Sequence, residues 1–290
     1  MAVTVSSEAE RSLLAGNVAA IRDLRDHFEL LRVLVIKDLK IRYKASSLGL
    51  MWSLLNPLAL MLVYTAIFGA VFKSQRPQFP VFILSGLLVW NFFATALPLA
   101  TVSVVGNANL VKKMRFPTSL LPASAVLSGF VNFLISLLLL VGLLLVYRHP
   151  VGPSMIWLPV LLLAQVAFTA GLGLLLSGLN VLFRDVEHFL GIIITVWFFA
   201  TPIIYPREAV QGSPTGSLIL SLNPMTWLIS AYQAVFYGTP ETRGGTFTGH
   251  FVTTWPDATS TIAFTALSVF LLVAGFVIFT RLARRFVEEV

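Results

Sequence analysis

Cysteine is absent from the 290 residues, which removes disulfide frameworks, thiolate zinc sites and cysteine nucleophiles from consideration. Charge is the second scarcity. Asp, Glu, Lys and Arg make up 11% of the chain, where soluble domains carry about 25% because a compact body turns polar side chains toward water. Five long runs hold no charge at all: Leu48–Phe72, Phe79–Val105, Ser119–Tyr147, Met155–Asn180 and Ala258–Thr280. Acidic residues are the scarcer sign, 13 against 20 Lys and Arg. The chain is therefore a polytopic membrane protein. The first 27 residues also lack the apolar core of a secretory signal, so the amino terminus is expected to be retained.

What is present is apolar, 57% of all residues. A hydrocarbon core of ~30 Å needs ~20 apolar helical residues, and the five runs are 25, 27, 29, 26 and 23 residues long. A sixth stretch, His188–Tyr205, is shorter at 18 residues but rich in Ile, Val, Trp and Phe. Lipid admits only helices or closed barrels, and barrel strands alternate polar and apolar residues. Leu137–Val146 shows no such alternation. The expected fold is all-α with six transmembrane helices. It divides into a cytoplasmic segment 1–47, a six-helix domain 48–280 and a tail 281–290.

Orientation follows from Lys and Arg. Fifteen of the 20 fall before the first span, in the second and fourth loops or in the tail. The positive-inside rule then places both termini in the cytoplasm, and the basic balance reports topology, not nucleic-acid binding. Ser217–Tyr237 is apolar enough to tempt a seventh span, but Ser221, Asn223, Pro224, Thr226, Ser230 and Gln233 interrupt it. Pro206–Asp257 is expected to be an extracytoplasmic excursion holding re-entrant or interfacial helices.

The empty spans also bear on mechanism. Ion sites, proton relays and voltage sensors use ionisable residues inside the membrane, and these spans contain no Asp, Glu, Lys or Arg. No G-x-x-x-x-G-K-[ST] phosphate loop occurs. Gly171 and Gly173 lie inside a span, where small residues serve close helix packing. The four histidines are scattered, with no H-E-x-x-H. A passive pore or a machine driven by a partner fits these absences better than an enzyme or an ion-coupled carrier.

Two cytoplasmic segments stand out. Phe28–Lys44 places Phe28, Leu31, Val35, Ile36, Leu39 and Tyr43 on one helical face and Lys37, Lys40 and Lys44 nearly opposite, with Arg42 able to snorkel from the apolar side. This is the pattern of an interfacial amphipathic helix, serving either as a basic anchor or as a collar for substrate or partner. Gly106–Pro117 is a short basic loop whose apolar residues Leu110, Val111, Met114 and Phe116 suit insertion into a partner's groove.

These segments carry a resemblance. KDLKIRYKASSLGLMWSLLNPL (Lys37–Leu58), VKKMRFPTSLLP (Val111–Pro122), NVLFRDVEHF (Asn180–Phe189) and LNPMTWLISAYQAVFYG (Leu222–Gly238) resemble, in order, landmarks of the six-span ABC-2 permease subunits that export polysaccharides on lipid carriers. The resemblance covers nearly the whole chain. It implies a homodimer completed by two copies of a separate ATP-binding subunit, which would bind ATP and Mg while this chain binds no cofactor. Asn109, Leu110, Val111, Lys112, Lys113, Met114, Arg115 and Phe116 would form the coupling helix. Lys37, Lys40, Arg42 and Lys44 would belong to the interfacial helix. The substrate would be a lipid-linked glycan such as O-antigen, teichoic acid or galactan, crossing the bacterial inner membrane. A drug or lipid permease, or a non-transporting enzyme or scaffold, are the rival readings.

Sugar faces stack on aromatic rings, and Tyr and Trp add a polar tip. Trp52, Tyr64 and Trp90 are the aromatic candidates for a glycan channel. Ser124, Ser128, Asn132 and Ser136 recur every four residues in the third span, as interhelical hydrogen bonders or as channel lining.

Overall fold

The computed structural model describes residues 27–44, 46, 48–70, 76–113, 116–205, 207, 210, 212–243, 246–284 and 286. Helices dominate. In chain order they are α1 (Phe28–Tyr43), α2 (Trp52–Ala70), α3 (Phe79–Gly106), α4 (Ala108–Lys113), α5 (Leu120–Val146), α6 (Leu158–Leu182), α7 (Val186–Phe199), α8 (Pro214–Leu222), α9 (Pro224–Phe236) and α10 (Ala258–Ala283). Short 3-10 turns at Gly49–Met51 and Pro153–Trp157 lead into α2 and α6.

Five helical stretches are long and apolar enough to cross a membrane: Gly49–Gly69, Phe79–Gly106, Leu120–Val146, Pro153–Leu182 and Ala258–Ala283. They coincide with the five charge-free runs, because an uninterrupted apolar segment must satisfy its backbone internally. The sixth stretch forms α7, of 14 residues. At ~1.5 Å per residue it is about 21 Å long, shorter than the ~30 Å hydrocarbon core. It stops at Phe199 ahead of Pro202, which lacks an N–H and disfavours helix at the residue before it.

The stretch Ser217–Tyr237 is broken at one corner. Pro224 holds Asn223 in an extended conformation (ψ 107°), and the Asn223 side chain caps the next helix by accepting from Met225 N. The products, α8 and α9, have 9 and 13 residues, and neither alone spans the bilayer. Beside these helices the excursion holds two short strands, which the all-α expectation did not include. Thr239–Arg243 (β1) and Thr246–Val252 (β2) pair antiparallel, with an irregularity between Pro240 and Thr242. Their Thr- and Phe-rich composition suits strands. Gly238 makes the bend into the hairpin at φ +66°, where a Cβ would sit 2.6 Å from the Val252 carbonyl oxygen.

The core sits around α3, 78% buried over its most apolar stretch against 17% for the first span. It packs on α5, α6 and α9. The α6–α10 seam is tight enough that a Cβ on Gly275 would lie 2.2 Å from the Gly171 carbonyl oxygen, and on the α3 side of α6 a Cβ on Gly173 would lie 2.9 Å from Ala100 Cβ. Packing is thus the role of the Gly171–Gly173 pair.

Candidate functional site

The polar residues of the bundle fall into two groups, one on the α1 side that reaches the middle of α3 and α5 at Asn91 and Asn132, and one around α9. In the first, α1 lies against α5 and buries Leu34 among Val104, Val111, Leu120 and Phe279. Two polar side chains on the docked side find partners. Lys37 Nζ donates to Asn107 Oδ1 (3.2 Å) at the junction of α3 and α4, and Ser124 Oγ donates to Asp38 Oδ2 (3.2 Å). Phe28 and Ile36, assigned to the apolar face, are exposed together with Val33 and Ile41, while Leu34 is buried. Lys40 and Lys44 are exposed and Arg42 is half-buried. The short helix α4 is seated by Val111, with Phe116 packed on the same cluster. Asn109, Lys112 and Lys113 face outward and Leu110 is half-buried. Met114 and Arg115 lie outside the described residues.

Where α1 ends, a knot joins it to α2 and α5. The Tyr43 and Ser53 hydroxyls both donate to Asn132 Oδ1 and lie 2.5 Å apart. Ser136 Oγ donates to the Ser53 carbonyl (2.9 Å). Beside the knot is a cleft of about 270 Å³, lined by Arg42, Trp52, Asn56, Asn91, Thr95 and Asn132 among others. Trp52 stands 54% exposed at its rim. The side chains of Asn56 and Asn91 make no hydrogen bond among the described residues, so the cleft offers free amide donors and acceptors beside an aromatic face. A second cleft of about 360 Å³ lies on the other side of Arg42, between α1, α3 and α5. It includes Lys37, Asp38, Ser124 and Ser128 with apolar Leu99, Val102 and Leu121. Polar groups on an apolar wall, with Arg42 shared by both clefts, suit an amphiphile carrying polar or anionic groups.

The second group is closed. Tyr232 Oη donates to Gln165 Oε1 (2.7 Å), and Gln165 Nε2 donates to the Val89 carbonyl (3.3 Å), tying α9 to α6 and α3. Tyr237 Oη donates to the Pro77 carbonyl (2.7 Å), and burial pushes the phenol up to about 12, partly opposed by Arg76. His149 lies with Nε2 on the Tyr237 carbonyl (3.0 Å) and Nδ1 on Gln78 Oε1 (2.5 Å), with the Phe251 ring 4.4 Å away. Burial holds its pKa below the usual imidazole range, the Tyr237 carbonyl acting in the opposite sense.

The ABC-2 type transporter model matches residues 29–237. The chain belongs to the ABC-2 type transporter family. It is 37% identical over 273 residues to the O-antigen export system permease protein RfbA of Myxococcus xanthus, covering 94% of this chain and 100% of the relative. It is 35% identical over 262 residues to the protein of that name from Klebsiella pneumoniae, covering 90% and 95%. The polysialic acid transport protein KpsM of Escherichia coli is 22% identical over 222 residues, covering 74% and 85%.

Within this ABC-2 chain the candidate channel residues separate. Trp52 and Asn132 share one cleft, and Ser124 and Ser128 line the next, although both serines also donate to carbonyls of their own helix. Trp90 is not with them. It is 4% exposed, packed on Phe93, Trp197 and Phe198, because it lies in the central, most buried stretch of α3. Tyr64 stacks on Phe198 at 6.3 Å, at the edge of that aromatic cluster. Tyr43 was expected on the apolar face of α1 and not in a cleft, and Ser53, Asn56 and Asn91 had no assigned role. Their signal was present: a neutral amide or hydroxyl in an otherwise apolar span needs a partner or water.

Proposed function

We propose that this chain is the membrane-spanning permease subunit of an ATP-driven exporter that moves a polysaccharide on a lipid carrier across the bacterial cytoplasmic membrane. The observation that carries this reading is end-to-end likeness to O-antigen export permeases, at 37% identity over 94% of the chain. Two copies of the chain face each other, and two ATP-binding subunits dock on the α4 side. Support for that docking is the seating of α4 by Val111 with Lys112 and Lys113 turned outward. ATP and Mg bind in the partner. Both termini and the α1 end lie in the cytoplasm, in keeping with 15 of 20 Lys and Arg there.

The Arg42–Trp52–Asn132 cleft then belongs to the loading side, where an aromatic face and free amides suit sugar rings, and the α9 end belongs to the exit. Depleting the chain tests this. Lipid-linked glycan is expected to accumulate on the cytoplasmic side while surface glycan falls. Unchanged surface glycan with no such accumulation would contradict the reading.

A further inference from the structure

Asn223 uses its amide completely. Oδ1 accepts from Trp197 Nε1 (2.8 Å) and Met225 N (3.0 Å), while Nδ2 donates to the Ala200 carbonyl (3.1 Å) and to Thr201 Oγ1 (2.9 Å). The orientation is fixed, since a flipped amide would set N–H groups against two donors. The Thr201 hydroxyl is already committed to the Trp197 carbonyl (2.7 Å). One side chain thus joins the end of α7 to the corner between α8 and α9.

The two helices meeting at that corner differ sharply. α9 is held at its start by Asn223, in its middle by Tyr232 on Gln165 and after its end by Tyr237 on Pro77. It buries Met225, Thr226, Leu228, Ile229, Tyr232 and Phe236, among others. α8 buries only Gly216 and Leu220. Its Leu218, Ile219 and Leu222 are exposed, and the hydrogen bonds of its cap Ser213 and of Ser217 and Ser221 are all local, with Val210 O, Gly216 N, Pro214 O and Leu218 O.

We propose that Asn223 is a positioning residue for export: it fastens α9 to α7 as a fixed post and leaves α8 to swing about the Asn223–Pro224 corner as the exit opens. Hinges are a few element-terminal residues that absorb the backbone change, and Asn223 terminates one element and starts the next. This inference rests on the permease reading, and the experiment separates the two.

The natural absence of cysteine makes engineered thiols the only ones in the chain, used in the reconstituted complex with a cysteine-free ATP-binding partner. A Cβ on Gly86 would lie 3.1 Å from Ile229 Cγ2, so Gly86→Cys with Ile229→Cys places α3 and α9 within disulfide reach. Oxidation is expected to leave export and ATP hydrolysis within about twofold of the reduced protein. Failure of the bond to form in inserted protein, or loss of export reversed by reductant, would overturn a fixed α9.

Spin labels at Leu218→Cys and Val252→Cys should report an α8–hairpin distance that changes by about 5 Å or more on ATP binding; an unchanged distance would overturn a moving α8. Asn223→Asp keeps the helix cap but sets an oxygen against the Ala200 carbonyl. Its label distances should already be broad without nucleotide, with export slowed about tenfold. Wild-type distances and export would remove Asn223 from the role. If no ATP-binding subunit associates with the chain, the permease reading has failed; if the complex exports with static labels, only the hinge has.

Discussion

On the α1 side Arg42, Asn56 and Asn91 line an open cleft, whereas around α9 Asn223, Gln165 and His149 spend their polar atoms on neighbouring helices and loops. The residue types are alike and their use is opposite. In a bundle whose spans carry almost no charge, amides left free in an open cleft make a wet surface, and bonded amides make a dry joint; within α9, Gln233 Nε2 and Thr226 Oγ1 are the exceptions, buried without a partner among the described residues. Each interhelical hydrogen bond is worth only ~0.6 kcal/mol in membranes. Closure of the α9 end therefore depends on several acting together, on Asn223, Tyr232 and Tyr237 within one short helix and its flanks.

The comparison can be broken at several strengths. Reversing Lys112 and Lys113 to Glu should have the largest effect, because like charges at an interface cost several kcal/mol. Association with the ATP-binding subunit, measured by co-purification, should fall about tenfold or more, and wild-type association would remove α4 as the docking point. Next is a pair of glycines. Gly238→Ala at the closed end meets both a left-handed φ and the Val252 carbonyl, so thermal unfolding in detergent should show a loss of about 1–3 kcal/mol. Gly106→Ala at the open end meets nothing within 4 Å and should be neutral or stabilising, by up to about 1 kcal/mol.

Acid provides a smaller effect with a definite sign. The His149 pKa is lowered in the folded protein, so below its ordinary value the unfolded chain binds more protons than the native one. The contribution of His149 is complete above pH 6.5 and declines as pH falls through 6.5 toward the lowered value. Melting temperature should drop over that window, and His149→Gln should flatten the drop. Trp52→Ala should cause the smallest structural change, since Trp52 is largely exposed. It should impair export while assembly stays intact; normal export would take Trp52 out of the path.

The crossing helices were legible because a charge-free run of 23 or more residues reports directly on the solvent it must face. The break at Asn223–Pro224 was legible for a local reason, proline's restriction of its predecessor. What escaped depends on contacts distant in sequence. Trp52 and Trp90 sit in equally apolar surroundings along the chain, yet one is at a cleft rim and the other in the core, because α2 is peripheral and α3 central. Asn223 looked like an interruption of an apolar stretch; that Trp197, Ala200 and Thr201 would use all of its amide is a property of packing. The hairpin was missed because a search for long apolar runs passes over short Thr-rich strands.

The contrast between the ends is tested most directly by access from the two sides of the membrane. Asn56→Cys in the cleft and His250→Cys on the exposed hairpin can be challenged separately with a membrane-impermeant maleimide, in intact cells and in inverted vesicles. The account predicts that nucleotide-free Asn56→Cys reacts only in inverted vesicles and His250→Cys only in intact cells. Reaction of Asn56→Cys from outside the cell would contradict it.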